Sequence, residues 1–286
     1  MRVGSMACAA WLALWAAGAM GQTLQPPKTV AAGSAVSIPT TGSGPADVYI
    51  VGPGQVLHQK IQLGETVAIP QGTLYAAGRY LAILSGESVR GHWAFDVTPS
   101  ADLQKISFLA RPSRLPVGQA NGVSGTVYLF DAYGNLILNP VPVMFEYAAP
   151  GGTPQQRTVT TRDGVASVEM NSSSRQGNAN FVAHAGAVTS TRVVEQVPGD
   201  PCSLRMTAQA DGNQILLKTD PVRDCSGNAV PDGTIVTFTE TQNSRQTTVD
   251  VPLKQGIAQV TVPAVPGARI SVASGVVLGN EIRWNR

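Results

Sequence analysis

Hydrophobic and polar residues alternate over short stretches along most of the chain, after an apolar run that ends at Met20. Such alternation is typical of a β-strand with one buried face, because successive side chains of a strand point to opposite sides. In the first third, the alternating segments are 35–38, 47–51, 66–69, 80–84 and 92–97. Glycine or proline occupies nearly every gap, and no later window places apolar residues at helical spacing over three turns. The pattern predicts an all-β protein.

The first 21 residues have the features of a signal peptide. Arg2 precedes the apolar run at 6–20, and the small residues Ala19 and Gly21 fit a cleavage site. The run is shorter than the roughly twenty apolar residues that cross a bilayer as a helix. The sequence therefore predicts export, with residues 1–21 removed, a mature chain that starts near Gln22 and no membrane span left after cleavage.

The middle and last thirds repeat one another when the sequence is shifted by 93 positions. In both copies an Asp-x-x-Gly-Asn motif is followed, fourteen residues after its Asp, by a Phe that ends an alternating segment. The matching residues are Asp131, Gly134, Asn135 and Phe145 in one copy, and Asp224, Gly227, Asn228 and Phe238 in the other. The Asp can bond the backbone two residues on, and Gly and Asn tolerate a positive φ. The motif therefore predicts a structural turn in each repeat.

Each repeat holds some seven strand candidates in about 90 residues, as an immunoglobulin-like sandwich of two antiparallel sheets requires. The order of motifs also resembles the bacterial immunoglobulin-like domains of the invasin and intimin group. In that group Asp-x-x-Gly-Asn precedes a Pro-containing stretch, an alternating strand that ends in Phe, and an Asp-Gly-x-Ala turn. Both copies fit this order over residues 103–285, except that Gln255 replaces the Asp that stands at Asp163. The resemblance implies tandem sandwiches, with adhesion as the expectation for the family.

Three domains are expected after the signal peptide: a β-sandwich at 28–99, and bacterial immunoglobulin-like domains at 103–196 and 200–286. The first does not align with the repeat. Its Tyr80 follows Ala77 and Gly78, an arrangement that resembles the corner before the sixth strand of many sandwiches. At that corner a Tyr hydroxyl bonds back to the backbone.

Cys202 and Cys225 are the cysteines that remain once the leader, with Cys8, is removed. An even number in an exported chain, with no paired His or second Cys couple beside them, favours a disulfide over a metal site. In the loop-entropy model a bridge of this span stabilises the folded state by on the order of 3 kcal/mol.

The charge balance argues against a nucleic-acid partner. The chain has 20 basic and 18 acidic residues, and the loss of Arg2 with the leader leaves 19 and 18. No cluster of Lys and Arg is present that could displace counterions from phosphates. No nucleophile elbow, phosphate loop, dinucleotide fingerprint or His-Glu-x-x-His motif occurs. We therefore expect neither an enzyme nor a cofactor.

Metal binding is not predicted either. The histidines lack a second ligand at a zinc spacing. The oxygen donors with a clear pattern already have turn roles and do not form a dense calcium loop. The histidines are His58, His92 and His184, and the oxygen donors are Asp131, Asn135, Asp163, Asp224 and Asn228.

The preferred interpretation is a non-catalytic protein of the cell envelope that acts in adhesion or as a binding or spacer module. Its partner would be a protein or glycan in the periplasm, at the cell surface or outside the cell. One alternative is a periplasmic assembly factor or subunit that pairs through an edge strand; another is a carbohydrate-binding protein with exposed Tyr or Trp rings. The polar loop at 171–180 is a candidate recognition loop, or else a solvated connection.

Overall fold

The structure is a computed structural model that describes residues 23–87 and 89–285. These residues form 23 strands and no helix, which confirms the all-β prediction. Within them, accordingly, there is no helix of the length and apolar character needed to cross a membrane. The predicted signal peptide lies outside the described residues.

The first sandwich pairs a three-stranded sheet with a five-stranded sheet, in the orders β1-β3-β6 and β2-β8-β7-β4-β5. Its core gathers the inward residues of both sheets, with Tyr80, Leu84 and Phe95 among the most buried. The first sheet starts ahead of residue 28, where the domain was expected to begin. The strands are β1 (Thr23–Leu24), β2 (Thr29–Ala31), β3 (Val36–Thr41), β4 (Pro45–Gly52), β5 (Gln55–Gln62), β6 (Thr66–Ile69), β7 (Gly78–Gly86) and β8 (Arg90–Thr98).

The second sandwich has sheets in the orders β14-β11-β9 and β10-β16-β15-β12-β13. Phe108, Phe145, Tyr147 and Phe181 fill its core, with ring centroids 5.1 to 6.3 Å apart. The strands are β9 (Lys105–Arg111), β10 (Arg114–Pro116), β11 (Val123–Phe130), β12 (Pro142–Ala148), β13 (Gln155–Thr160), β14 (Val165–Met170), β15 (Gly177–Ala185) and β16 (Val188–Val197).

The third sandwich has sheets in the orders β17-β18-β21 and β20-β19-β22-β23. Phe238, which matches Phe145 in the repeat, is 2% exposed in its core, and Trp284 closes one side. The strands are β17 (Met206–Asp211), β18 (Gln214–Thr219), β19 (Ile235–Gln242), β20 (Arg245–Pro252), β21 (Gln259–Pro263), β22 (Arg269–Ser274) and β23 (Val277–Arg283).

Contacts divide the chain into two compact units. Of the described residues, the first unit comprises those up to Ser100 together with Tyr133–Asn135, and the second comprises Ala101–Ala132 and those from Leu136 onward. The second unit therefore contains nearly all of the second sandwich and the whole of the third.

Two predicted local features have a physical account. The Tyr80 hydroxyl donates to the Ala76 carbonyl over 3.0 Å, which is the corner hydrogen bond expected from the sequence. Asp163 and Gly164 both have positive φ, 49° and 79°, and Gln255 and Gly256 have 52° and 74°. The second copy therefore keeps the tight turn without the Asp, because the left-handed backbone followed by Gly is what this turn needs.

Candidate functional site

An exposed apolar and aromatic patch lies on the outer face of the five-stranded sheet of the first sandwich. Strand pairing places Tyr49 beside His58 on one side and beside Ile83 on the other, and Ile83 beside His92. The next row along the strands is aliphatic. The outer patch is defined as Tyr49, Val51, Val56, His58, Leu81, Ile83, His92 and Ala94.

The patch is open to solvent. Val56 is 64% exposed, Val51 37% and Tyr49 36%. A shallow groove of about 510 Å³ follows β7 and β8 past Ile83 and His92. Contiguous apolar area on an exposed sheet face marks a candidate interaction surface, whereas single exposed apolar residues do not.

Polar groups fix the geometry at one end of the patch. His58 Nε2 lies 2.6 Å from Asp47 Oδ1, and the imidazole stacks on Tyr49 with centroids 4.6 Å apart and an angle of 12° between the rings. The stacking covers one face of the Tyr49 ring.

A second group of candidate side chains lies between β18 and β19 of the third sandwich, in the turn that carries Asp224 and Asn228. Asp224 is 5% exposed, and its Oδ1 accepts from the Ser226 and Asn228 backbone N–H groups at 2.9 and 2.8 Å. Its Oδ2 accepts from Gly199 N at 2.9 Å. Burial acts to raise the pKa of this carboxyl, but the N–H donors outweigh it and lower the pKa below the usual value.

A disulfide fixes the same turn to the linker that precedes it. Cys202 and Cys225 are bonded, as the sequence predicted, and Cys202 N donates to Arg223 O over 2.9 Å. Both cysteines are exposed. The bridge is typical of a protein that folds in an oxidising compartment, and it supports an exported, envelope-associated location.

The Asn228 side chain of this turn contacts the second sandwich. Asn228 Nδ2 donates to Ser174 O over 2.8 Å, and Gln176 N donates to Asn228 Oδ1 over 3.2 Å. The polar loop proposed at 171–180 is shorter in the structure, because β15 already begins at Gly177. Its residues 174 and 176 are engaged within the second unit, so the loop is not simply a solvated connection.

The matching turn of the other copy makes an equivalent contact inside the first unit. Asn135 Nδ2 donates to Tyr75 O over 2.8 Å, and Ala77 N donates to Asn135 Oδ1 over 2.8 Å. Asp131 is 2% exposed at the start of this turn, and Gly134 and Gly227 have φ of 81° and 85° in the two copies. The predicted turn residues thus occupy turns, and their Asn side chains also bind backbone elsewhere.

The remaining candidate residues lie apart from one another. His184 Nδ1 is 3.0 Å from Thr189 Oγ1 on the neighbouring strand, whereas His58 and His92 belong to the first sandwich. Over residues 23–87 and 89–285, no group of three or more His, Cys, Asp or Glu side chains is placed to hold a metal ion.

Sequence reasoning did not find the outer patch or the role of the two Asn side chains. The patch depends on which strands are neighbours and how their rows align, whereas alternation in one strand indicates only which of its side chains share a face of the sheet. No local signal marks the Asn contacts, because the backbone groups that each Asn side chain binds stand more than 50 positions away in the sequence.

The chain is thus of the class built from tandem immunoglobulin-like β-sandwiches. No protein-family model matches it, and no curated protein does. Among solved structures it is similar to invasin, a bacterial integrin-binding protein, with 14% identity, 92% of this chain and 59% of that chain covered, and a TM-score of 0.48. It is also similar to InvD of Yersinia pseudotuberculosis, with 15% identity, coverages of 93% and 86%, and a TM-score of 0.44. For the FN1–FN3 domains of chicken CNTN1 the identity is 11%, 93% of this chain and 98% of that chain are covered, and the TM-score is 0.35.

This chain spans 59% of the length of the invasin chain.

Proposed function

We propose that this chain is an exported, non-catalytic binding module of the cell surface that uses the outer patch of its first sandwich to attach to a protein partner. The observation that carries the proposal is the row His58, Tyr49, Ile83 and His92 with the aliphatic row beside it. An interface centre is commonly aromatic and aliphatic with few charges, and this face has that composition. Adhesion follows if the partner is on another surface.

The alternative of assembly through an edge strand is less well supported. The edge strands β5, β13 and β20 carry Lys60, Arg157 and Arg245 respectively. Charged residues on an edge oppose the addition of another strand.

Location is tested on cells that produce the chain. Protease added to intact cells should remove it, and osmotic shock should leave it with the cells. Release by osmotic shock with full resistance to the protease would place the chain in the periplasm and contradict surface attachment.

Attachment is tested with beads coated with the chain from Gln22 onward. They are incubated with animal-cell monolayers and, in a separate arm, with bacteria of the producing strain. Retention on at least one surface is expected, and Val51→Glu should reduce it severalfold because it places a charge in the middle of the patch.

The matched control is Val193→Glu, which makes the same change at a β16 side chain that is 57% exposed outside the patch. It should bind like the unmodified chain. Equal binding by the Val51 and Val193 variants, or no retention in either arm, would count against the proposal.

A further inference from the structure

The two Asn contacts are made to the same position of two different sandwiches. Tyr75 O and Ala77 N are the backbone groups three residues and one residue before Gly78, the first residue of β7. Ser174 O and Gln176 N stand in the same relation to Gly177, the first residue of β15. We call residues 75–78 and 174–177 the entry segments.

Both entry segments end in a glycine of unusual backbone conformation. Gly78 has a φ of 146° and Gly177 a φ of 131°, values that side-chain-bearing residues rarely adopt. The carbonyl and the N–H two residues apart precede the first residue of the strand, so they lie outside its ladder with the neighbouring strands. A partner with one donor and one acceptor at the right spacing satisfies both.

An Asn side chain is such a partner. Its amide offers an N–H donor and a carbonyl acceptor in one plane, whereas Asp lacks the donor and Ala lacks both. Because one entry group is a carbonyl and the other an N–H, the contact also fixes which way round the amide lies. The same pairing occurs at Asn135 and at Asn228, although the two entry segments share no sequence apart from the glycine.

Each side of the Asn228 contact is also held by hydrogen bonds within its own sandwich. The Asp224 carboxylate accepts from Asn228 N at 2.8 Å. Asn228 Nδ2 also lies 3.2 Å from Asp224 Oδ1 and 3.0 Å from Asp224 Oδ2, and these bonds orient the Asn228 side chain. On the other side Gln196, 1% exposed on β16, binds the loop: its Oε1 accepts from Ser173 N at 2.6 Å and its Nε2 donates to Arg175 O at 3.0 Å. Little conformational freedom is therefore lost when they join.

We infer that the Asn of the Asp-x-x-Gly-Asn turn is a docking residue that recognises the entry segment of a β-sandwich, and that Asn228 in this way fixes the third sandwich against the second. The partner is the backbone of a neighbouring domain of the same chain. Asn228 is a positioning residue, and its side-chain amide makes the two hydrogen bonds with backbone groups that a neighbouring strand would otherwise make.

The inference is tested by amide exchange and ¹⁵N relaxation on the chain from Gln22 onward. Asn228→Ala should speed exchange at Gln176 about tenfold, since its N–H loses its acceptor. In the unmodified chain the second and third sandwiches should share one rotational correlation time. In the Asn228→Ala chain the two sandwiches should have different rotational correlation times.

Asn135→Ala is the matched control. It should speed exchange at Ala77 and leave both Gln176 and the tumbling of the third sandwich unchanged. Slow amide exchange along β18 reports that the third sandwich is folded. If the Asn228→Ala chain no longer shows this slow exchange, Gln176→Pro is used in its place, because it removes the N–H donor from the second sandwich and leaves the turn of the third sandwich intact.

Persistence of Gln176 protection and of common tumbling in the Asn228 variant would overturn the inference. Faster exchange at Gln176 in the Asn135 variant would do the same, because it would show a general loosening in place of two separate contacts. Neither outcome bears on attachment through the outer patch, which the bead assay measures independently.

Discussion

Two buried tyrosines differ in what their hydroxyl groups do. Tyr80 and Tyr147 are both fully buried. The Tyr80 hydroxyl donates to Ala76 O, whereas among the described residues the Tyr147 hydroxyl has no hydrogen-bond partner. Burial raises the pKa of Tyr147 to about 12, in keeping with a phenol that is kept from water. The same chemical group therefore stabilises the first sandwich and is a liability in the second.

Removal of the two hydroxyl groups should have different effects on the free energy of unfolding. Tyr80→Phe should lower the free energy of unfolding of the first sandwich by about 1 kcal/mol, because Ala76 O loses its donor. Tyr147→Phe should leave the second sandwich unchanged or make it more stable, because no bond is lost. A urea titration followed by NMR gives each sandwich its own midpoint. Equal losses in the two variants would show that the hydroxyl contacts do not decide stability.

At the scale of elements, the turn of the third sandwich concentrates its polar contacts on one carboxylate. Asp224 joins the turn to the linker through Gly199 and supports Asn228. All of these contacts need the ionised carboxylate, since a protonated one accepts more weakly.

The turn should therefore be sensitive to acid. The folded-state pKa of Asp224 lies below its usual value, so its contribution is present above that value and is lost as the pH falls through the folded pKa. Asp224→Asn should lower the stability of the third sandwich at neutral pH by about 2 kcal/mol and flatten its dependence on acid. The measurement is the urea midpoint of the third sandwich as a function of pH.

Asp211→Asn supplies the comparison, because it removes the same charge from an exposed position of the third sandwich. It should change the midpoint little at any pH. An Asp224 variant that keeps the acid dependence of the unmodified chain would assign that dependence to other groups.

How much of these elements the sequence predicts depends on the range of the interaction. Alternation predicted strands such as β7 and β8, and the tight turn at Asp163 and the corner at Tyr80 followed from local preferences. The pairing of Tyr49 with His58 and Ile83 did not, because it requires register across three strands. The contacts of Asn228 with residues 174 and 176 join positions more than 50 apart, and no local rule brings those together.

At the scale of the whole molecule, several sheet edges carry features that oppose the addition of a further strand. The edge strands β5, β13 and β20 each carry a basic residue, and β22 and β23 pair with a register shift between Ser271 and Ala273. Both devices hinder strand addition at sheet edges. With 20 basic and 18 acidic residues in all, no strong net charge keeps copies apart, so the control of edges matters more.

The disulfide links stability at this scale to the compartment. Cys202 and Cys225 close a loop of 23 positions that contains the strands β17 and β18 and ends within the turn. Loop-closure entropy implies that its loss destabilises the third sandwich by about 3 kcal/mol. A domain of this size is only marginally stable, so such a loss is a large fraction of its total.

The double variant Cys202→Ala and Cys225→Ala should therefore unfold its third sandwich at a clearly lower urea concentration, while the second keeps its midpoint. A thiol reductant should shift the third sandwich of the unmodified chain in the same direction and have no effect on the double variant. Because the second sandwich has no cysteine, it is an internal reference in each titration. If reduction left the urea midpoint of the third sandwich unchanged, the noncovalent contacts of Asp224 and Asn228 would be enough to stabilise that sandwich. Its stability would then not require an oxidising compartment.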